Sequence, residues 1–144
     1  MRRGLQEVRK WCEYNPEFYL SVNLSVIHFE QDCIVDDITS LLLELDLPAA
    51  IFKLEVTESA LMKYPEKAIE TVRKFEDLGI KLALDDFGTG YSSSANLKQL
   101  PLEVVKLDRS FTWGIGKEQK DETIIEAILG GAANLGIKVI AEGI

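Results

Sequence analysis

The sequence has few of the residues that mark special classes of protein: two cysteines, one histidine, four prolines and ten glycines in 144 residues. It also has no apolar run near the roughly 18 residues of a membrane span, and the basic start Met1-Arg2-Arg3 is not followed by an apolar signal core. With 47% hydrophobic residues, the composition excludes a collagen-like, low-complexity or disordered chain. What is left is one packed globular domain.

Basic residues are also scarce, since 16 Lys and Arg stand against 24 Asp and Glu and give a net charge of −8. We therefore expect no nucleic acid polymer as a partner. A smaller anionic ligand stays compatible with this charge if metal ions supply positive charge. Cys12 and Cys33 lack CxxC spacing, which favours reduced thiols, a cytoplasmic location and no membrane contact by this segment. Membrane anchoring of a longer parent protein is left open.

Apolar periodicity predicts strands that alternate with helices. The predicted strands cover residues 19–24, 51–57, 80–85, 104–107 and 137–141. The predicted helices cover residues 5–14, 35–45, 68–75 and 124–135, with a further short helix that ends near Leu100-Pro101. Such alternation is typical of a parallel sheet covered by helices, the α/β class.

A faint internal repeat links two of these strands. Leu78-Gly79-Ile80-Lys81 and Leu135-Gly136-Ile137-Lys138 each open a strand that ends in an acid, Asp85 or Glu142, six residues after the glycine. Either two helix-to-strand turns share one geometry, or both acids also lie on the same rim of a repeating βα architecture.

A polar residue stands at the carboxyl end of every predicted strand. These residues are Asn23, Glu55, Asp85, Lys106 and Glu142, at intervals of 21 to 36 residues. A (β/α)₈ barrel uses roughly 31 residues per unit and places its chemistry at this end, although a doubly wound sheet has the same local pattern. Any one of the five could cap the following helix, but together they predict a convergent site.

The donor atoms at these positions are carboxylate and amide oxygens, which suit Mg²⁺ or Mn²⁺ rather than zinc. The adjacent Asp85 and Asp86 suit a two-metal site that activates water for displacement at phosphorus. Lys106 could orient that water or neutralise charge that develops on the phosphate. We assign no role to His28, which follows the first strand.

Five motifs in order along the chain resemble the EAL-domain family, the bacterial cyclic di-GMP phosphodiesterases. They are Ser21-Val-Asn-Leu-Ser25, Leu54-Glu-Val-Thr-Glu58, Asp85-Asp-Phe-Gly-Thr-Gly-Tyr-Ser-Ser93, Leu100-Pro101 with Lys106-Leu-Asp-Arg-Ser-Phe111, and Ala141-Glu-Gly143. The resemblance runs from about residue 5 to the end. It implies a TIM-like barrel, two divalent metals, hydrolysis of cyclic di-GMP to linear pGpG in signal transduction, and a homodimer.

The resemblance also implies roles for individual residues. Those that correspond to metal ligands are Asn23, Glu55, Asp85 and, for the second metal, Asp86. Lys106 corresponds to the lysine near the attacking water, and Glu142 to a metal ligand or general base. No residue is assigned to substrate binding.

Glu58 is similar to the family's glutamate that holds the loop after the paired aspartates and takes part in dimer contacts. The loop begins with Phe87, Gly88, Thr89 and Gly90. Glu58 also suits the first turn of the next helix, where the helix dipole favours an acid. The two interpretations are compatible.

The family's Glu-Ala-Leu strand, with a further metal ligand, is expected upstream of residue 1, and its last strands beyond residue 144. Residues 1–144 are therefore expected to form a partial EAL domain of about five parallel strands with flanking helices, inactive alone. The alternatives are a degenerate domain that acts as a cyclic di-GMP receptor, and a dimerisation module without catalysis.

Overall fold

The computed structural model describes residues 1–31, 33–88, 100–117 and 119–144, which form one parallel sheet with helices between its strands. The strands are β1 (Leu20–Asn23), β2 (Phe52–Thr57), β3 (Lys81–Phe87), β4 (Leu102–Leu107) and β5 (Lys138–Ala141). The helices are α1 (Arg2–Cys12), α2 (Val26–Glu30), α3 (Ile34–Glu44), α4 (Glu58–Lys63), α5 (Pro65–Asp77), α6 (Arg109–Gly114) and α7 (Gln119–Leu135), with a 3₁₀ turn at Ala49–Ile51. None of the helices described is long and apolar enough to cross a bilayer.

The strands lie side by side in chain order, β1-β2-β3-β4-β5, and every neighbouring pair is parallel. A doubly wound sheet reverses its order at a switch point, whereas a barrel adds each strand on the same side of the last. The observed order is that of a barrel wall. The prediction of an α/β fold with five parallel strands and flanking helices is confirmed.

The sheet separates apolar from polar side chains by simple alternation. In β2, Phe52, Leu54 and Val56 are fully buried against the helices, and the intervening Lys53 and Glu55 face the opposite side. Successive side chains of a strand point to opposite faces, so this pattern is what the sequence dictates once β2 is extended. The helix-covered face holds the main core, and the other face carries the polar strand ends.

The two repeated turns have the same geometry. Gly79 and Gly136 have φ of 82° and 69°, the left-handed region that favours glycine after a helix. At each turn the next residue donates its N–H to a carbonyl five residues back, Ile80 to Phe75 and Ile137 to Ala132, both at 2.9 Å. The same turn therefore leads into β3 and β5 and sets the register at which each strand reaches its terminal acid.

Three short helices, α2, α4 and α6, were not predicted. Each has five or six residues, which is too few for apolar spacing to repeat. Each also follows a strand closely and begins with a polar cap: the Thr57 hydroxyl accepts from the Ala60 N–H at 3.3 Å, and Asp108 Oδ1 accepts from the Ser110 N–H at 2.9 Å. The predicted helix that ends near Leu100 lies outside the described residues.

Candidate active site

Three acids at the carboxyl ends of different strands share one lysine. The Lys106 ammonium on β4 lies 2.7 Å from Glu142 Oε1, 3.0 Å from Asp85 Oδ1 and 3.3 Å from Glu55 Oε2. The four side chains are between 15% and 35% exposed, so solvent reaches each of them. The structure thus brings four of the five predicted strand-end residues into direct contact.

Asn23, the fifth, is the last residue of β1 and lies beside Glu55 in the register of the sheet. Ser21, two residues earlier on the same face of β1, donates its hydroxyl to Glu55 Oε1 at 2.8 Å. Glu55 is therefore held from both sides, by Ser21 and by Lys106. Ser21 had no predicted role, although its position two residues before Asn23 places both side chains on the same face of a strand.

Lys106 behaves as a fixed cation. Burial by itself lowers the pKa of the ammonium, but its hydrogen bonds to Glu142 and Asp85, with the charges of Asp85 and Glu55, raise the pKa above the ordinary value of 10.5. The side chain is therefore charged throughout the physiological pH range. It can neutralise an anion or donate a hydrogen bond, but it is not suited to accept a proton.

The adjacent aspartates reach the same site because β3 carries one extra residue. Between the pairs Leu84–Val105 and Phe87–Leu107, β3 advances three residues while β4 advances two. Asp86 occupies this bulge with φ of 53°, a conformation that Asp adopts more readily than most residues. Without the bulge, neighbouring side chains would point to opposite faces, and only Asp85 would reach the site.

Burial raises the pKa of Asp86, and the charges of Asp85, Asp108 and Glu142 raise it further. Carboxylate oxygens of Asp85, Asp86 and Glu142 all lie within 4.8 Å of one another. Three carboxylates this close repel one another, as the raised pKa of Asp86 shows. A divalent cation bound among them would relieve that repulsion. The donor set is entirely oxygen and fits Mg²⁺ or Mn²⁺.

A second bulge orients Lys106. Between the pairs Leu82–Leu102 and Ala83–Val104, β4 has the extra residue Glu103. Leu102 and Val105 therefore both pack on the helix-covered core although they are three positions apart in the sequence, and Lys106 turns to the opposite face. The bulge was not predicted, because no local feature of the sequence reports how two strands pair.

The bulged residue also forms an ion pair with β2, the strand on the far side of β3. Glu103 Oε2 is buried 3.3 Å from the Lys53 ammonium, which itself lies 4.0 Å from the ring centroid of Tyr19. This ion pair joins Lys53 of β2 to Glu103 of β4 across the intervening β3. Glu55 and Lys106 form a second such pair further along the same two strands. Two ion pairs thus tie β2 to β4, one at each end.

Glu58 holds the chain directly after the paired aspartates. It is the first residue of α4, is only 1% exposed, and accepts the Gly88 N–H on Oε2 at 3.0 Å. Gly88 has φ of 97°, and a Cβ there would come 2.4 Å from Phe111 Cε2. Phe87 ends β3 and packs against the core. Glu58 is therefore an acid in the first turn of α4 that also binds the backbone of Gly88, while its role toward the rest of the loop stays a prediction. Thr89 and Gly90 lie outside the described residues.

Comparison with known proteins points in one direction. The EAL domain model matches residues 1–144. The cyclic di-GMP phosphodiesterase NbdA of Pseudomonas aeruginosa is 41% identical over 145 residues, which are all of this chain and 18% of that protein. The cyclic di-GMP phosphodiesterase PdeR of Escherichia coli is 34% identical over 140 residues, 97% of this chain and 21% of that protein. The chain spans about a fifth of the length of these curated relatives.

Solved structures agree with the sequence matches. The PaMucR phosphodiesterase in complex with c-di-GMP has a TM-score of 0.92 and 32% identity, over 99% of this chain and 58% of that one. The EAL domain of Mycobacterium smegmatis DcpA has a TM-score of 0.85 and 31% identity, over 97% of this chain and 64% of that one. The predicted TIM-like architecture is confirmed by these similarities.

Proposed function

The chain belongs to the EAL-domain family, and from that premise we propose that residues 1–144 form part of a metal-dependent phosphodiesterase that hydrolyses cyclic di-GMP to linear pGpG. The observation that carries the proposal is the contact of one lysine with acids from three strand ends. In barrel enzymes this end of the sheet is where catalytic residues gather.

The residues proposed to hold two metal ions are Asn23, Glu55, Asp85, Asp86 and Glu142. Two observations support this assignment. All the donor atoms are oxygens, and carboxylate oxygens of Asp85, Asp86 and Glu142 lie within 4.8 Å of one another. Bound Mg²⁺ or Mn²⁺ would supply an activated water and a Lewis acid for in-line displacement at phosphorus. A ligand with two phosphates also needs such cations, because the chain itself has a net charge of −8.

Lys106 is proposed to donate a hydrogen bond to the attacking water or to a phosphate oxygen as negative charge develops. Its raised pKa supports this role, since the side chain stays charged at the pH of the reaction. Glu142, the most exposed of the three acids around the lysine, is proposed as a metal ligand or as the base that takes the proton of the water. Ser21 and Glu58 are proposed to hold Glu55 and Gly88 in place.

The test is a hydrolysis assay on residues 1–144 joined to the flanking strands of a complete barrel. We expect cyclic di-GMP to be converted to pGpG with Mg²⁺ or Mn²⁺ and not in EDTA. Among the described residues, Lys106 supplies one positive charge against the carboxylates of Glu55, Asp85 and Glu142, so further positive charge must come from metal. Chromatography of the product and calorimetry with cyclic di-GMP separate the functions. Binding without cleavage would contradict the phosphodiesterase and identify a receptor. If cyclic di-GMP is neither bound nor cleaved, the result would favour a dimerisation module.

We further propose that this domain works as a homodimer in the cytoplasm. The free thiols of Cys12 and Cys33 support a reducing compartment. Among the strands described, β1 and β5 are edges, and Ile140 of β5 is 44% exposed. Unpaired edges recruit partners, and this applies to the polypeptide 1–144 alone, since further strands would cover both edges in a complete barrel.

The polypeptide 1–144 alone is accordingly expected to self-associate at micromolar concentration and to show very low turnover, because an incomplete barrel leaves both edges open. Light scattering and the hydrolysis assay measure the two properties, with the complete barrel as control. A stable monomer would contradict the association, and turnover equal to the complete barrel would contradict the need for further strands.

A further inference from the structure

Glu142 lies just past the end of β5, where one backbone hydrogen bond still joins the chain to β4. It follows the last residue of β5, an edge strand, and its own N–H donates to the Leu107 carbonyl at 3.2 Å. At 35% exposure its side chain is the least buried of the three acids around Lys106. Packing therefore confines the Glu142 carboxylate less than it confines Glu55 or Asp85, and its position depends more on what anchors the backbone.

Helix α6, which follows β4 in the chain, anchors this backbone. The Thr112 hydroxyl lies 2.6 Å from the carbonyl oxygen of Glu142 and 3.0 Å from that of Arg109. A hydroxyl has one hydrogen, and the shorter distance assigns it to Glu142. The bond joins the helix to the very residue whose carboxylate faces Lys106.

The next residue of the helix binds the next carbonyl of the chain. Trp113 donates its indole N–H to the Gly143 carbonyl at 3.1 Å. The Arg109 guanidinium lies over the same ring, 5.2 Å from its centroid. Gly143 has φ of 73°, and a Cβ there would come 2.6 Å from Arg109 Cβ, so the backbone lies directly against the helix. Two consecutive carbonyls are thus each bound by a side chain of α6.

We propose that Thr112 and Trp113 are positioning residues, which fix the backbone of 142–143 so that the Glu142 carboxylate meets Lys106, Asp85 and Asp86. The proposal rests on the proposed function, in which Glu142 binds metal or takes a proton from the attacking water. It adds a prediction about this chain's own residues: the hydroxyl and the indole N–H, rather than the bulk of either side chain, support the site.

The experiment compares Thr112→Val with Thr112→Ser in the complete barrel. Valine keeps the shape and removes the donor, whereas serine keeps the donor. We expect Thr112→Val to weaken Mn²⁺ binding, measured by calorimetry, by about tenfold and to lower kcat by a similar factor, since loss of a group that orients a metal ligand typically costs 10- to 100-fold. KM for cyclic di-GMP should change less than about twofold, because only the orienting contact to one metal ligand is lost. Thr112→Ser should keep most of the Mn²⁺ affinity.

Two further variants complete the comparison. Trp113→Phe removes the N–H but keeps the ring, and should act in the same direction as Thr112→Val. Thr123→Val removes a hydroxyl whose bond to the Gln119 carbonyl stays within α7, and should change neither property. Wild-type Mn²⁺ affinity and kcat in Thr112→Val, or equal losses in the valine and serine variants, would overturn the proposal.

A last readout separates this proposal from the proposed function. The NMR shift of the Lys106 ammonium, 2.7 Å from Glu142 Oε1, reports the position of that carboxylate without metal or substrate. It should move in Thr112→Val and stay near the wild-type value in Thr112→Ser. If the wild type neither binds Mn²⁺ nor cleaves cyclic di-GMP, the proposed function fails, and this shift still decides whether Thr112 positions Glu142.

Discussion

Asp85→Asn is expected to lower the turnover of cyclic di-GMP by about a thousandfold or more. The change keeps the size of the side chain but removes the negative charge between Lys106, Asp86 and Glu142. A metal that loses a ligand of this kind loses several kcal/mol of transition-state stabilisation, and each 1.36 kcal/mol is a factor of ten in rate. The measurement is kcat with saturating Mg²⁺ in the complete barrel.

The matched control is Asp77→Asn, which makes the same chemical change at the exposed last residue of α5 and should leave kcat unchanged. Glu55→Gln changes another of the three acids that contact Lys106 and should lower kcat in the same way as Asp85→Asn. Rates near the wild-type value in either site variant would mean that the metals bind elsewhere.

Lys106→Met is expected to lower the free energy of unfolding without metal and to change it much less with metal. In EDTA, removal of the ammonium leaves the carboxylates of Glu55, Asp85 and Glu142 facing one another without their shared cation. Breaking a buried ion pair costs about 3–5 kcal/mol, and partial exposure reduces this to roughly 2 kcal/mol of unfolding free energy. With Mg²⁺ most of that loss should disappear, because the divalent ion takes over the charge. The value of kcat should still be about a hundredfold lower, since the charged hydrogen-bond donor is gone.

Urea unfolding in EDTA and in Mg²⁺ measures the first effect. Lys74→Met is the control, because its pair with Glu70 on the surface of α5 is more than half exposed and contributes at most about 0.5 kcal/mol in either condition. Equal stability of Lys106→Met and wild type in EDTA would contradict the account of Lys106 as the cation that the acids share.

The strand ends were predictable from the sequence because the physics there is local. A buried strand shows as an apolar run, and Asp85 or Glu142 at its end is visible as the point where that run stops. The glycine turns before β3 and β5 were equally local, since the left-handed residue at Gly79 and Gly136 is part of the motif itself. These features fix which rim carries the acids.

What could not be predicted depends on pairing between distant segments. The sequence ends the third strand at Asp85, but β3 continues to Phe87 because the bulge at Asp86 restores its pairing with β4. The extra residue at Glu103 is stabilised by Lys53, 50 residues earlier in the chain. Thr112 and Trp113 have no recognisable role until α6 is seen against residues 142–143.

The two bulges have a consequence for changes in chain length. One extra residue lies in β4 at Glu103 and one in β3 at Asp86, so the pairs before the first bulge and after the second have the same offset. Between them the strands run one residue out of step, and this stretch contains Asp85 and Lys106. A deletion in one strand alone would change the offset of everything beyond it, whereas deletions at both bulges would restore the offset and remove Asp86. A homologous segment that replaces part of this sheet must therefore include both β3 and β4, because their two bulges compensate each other.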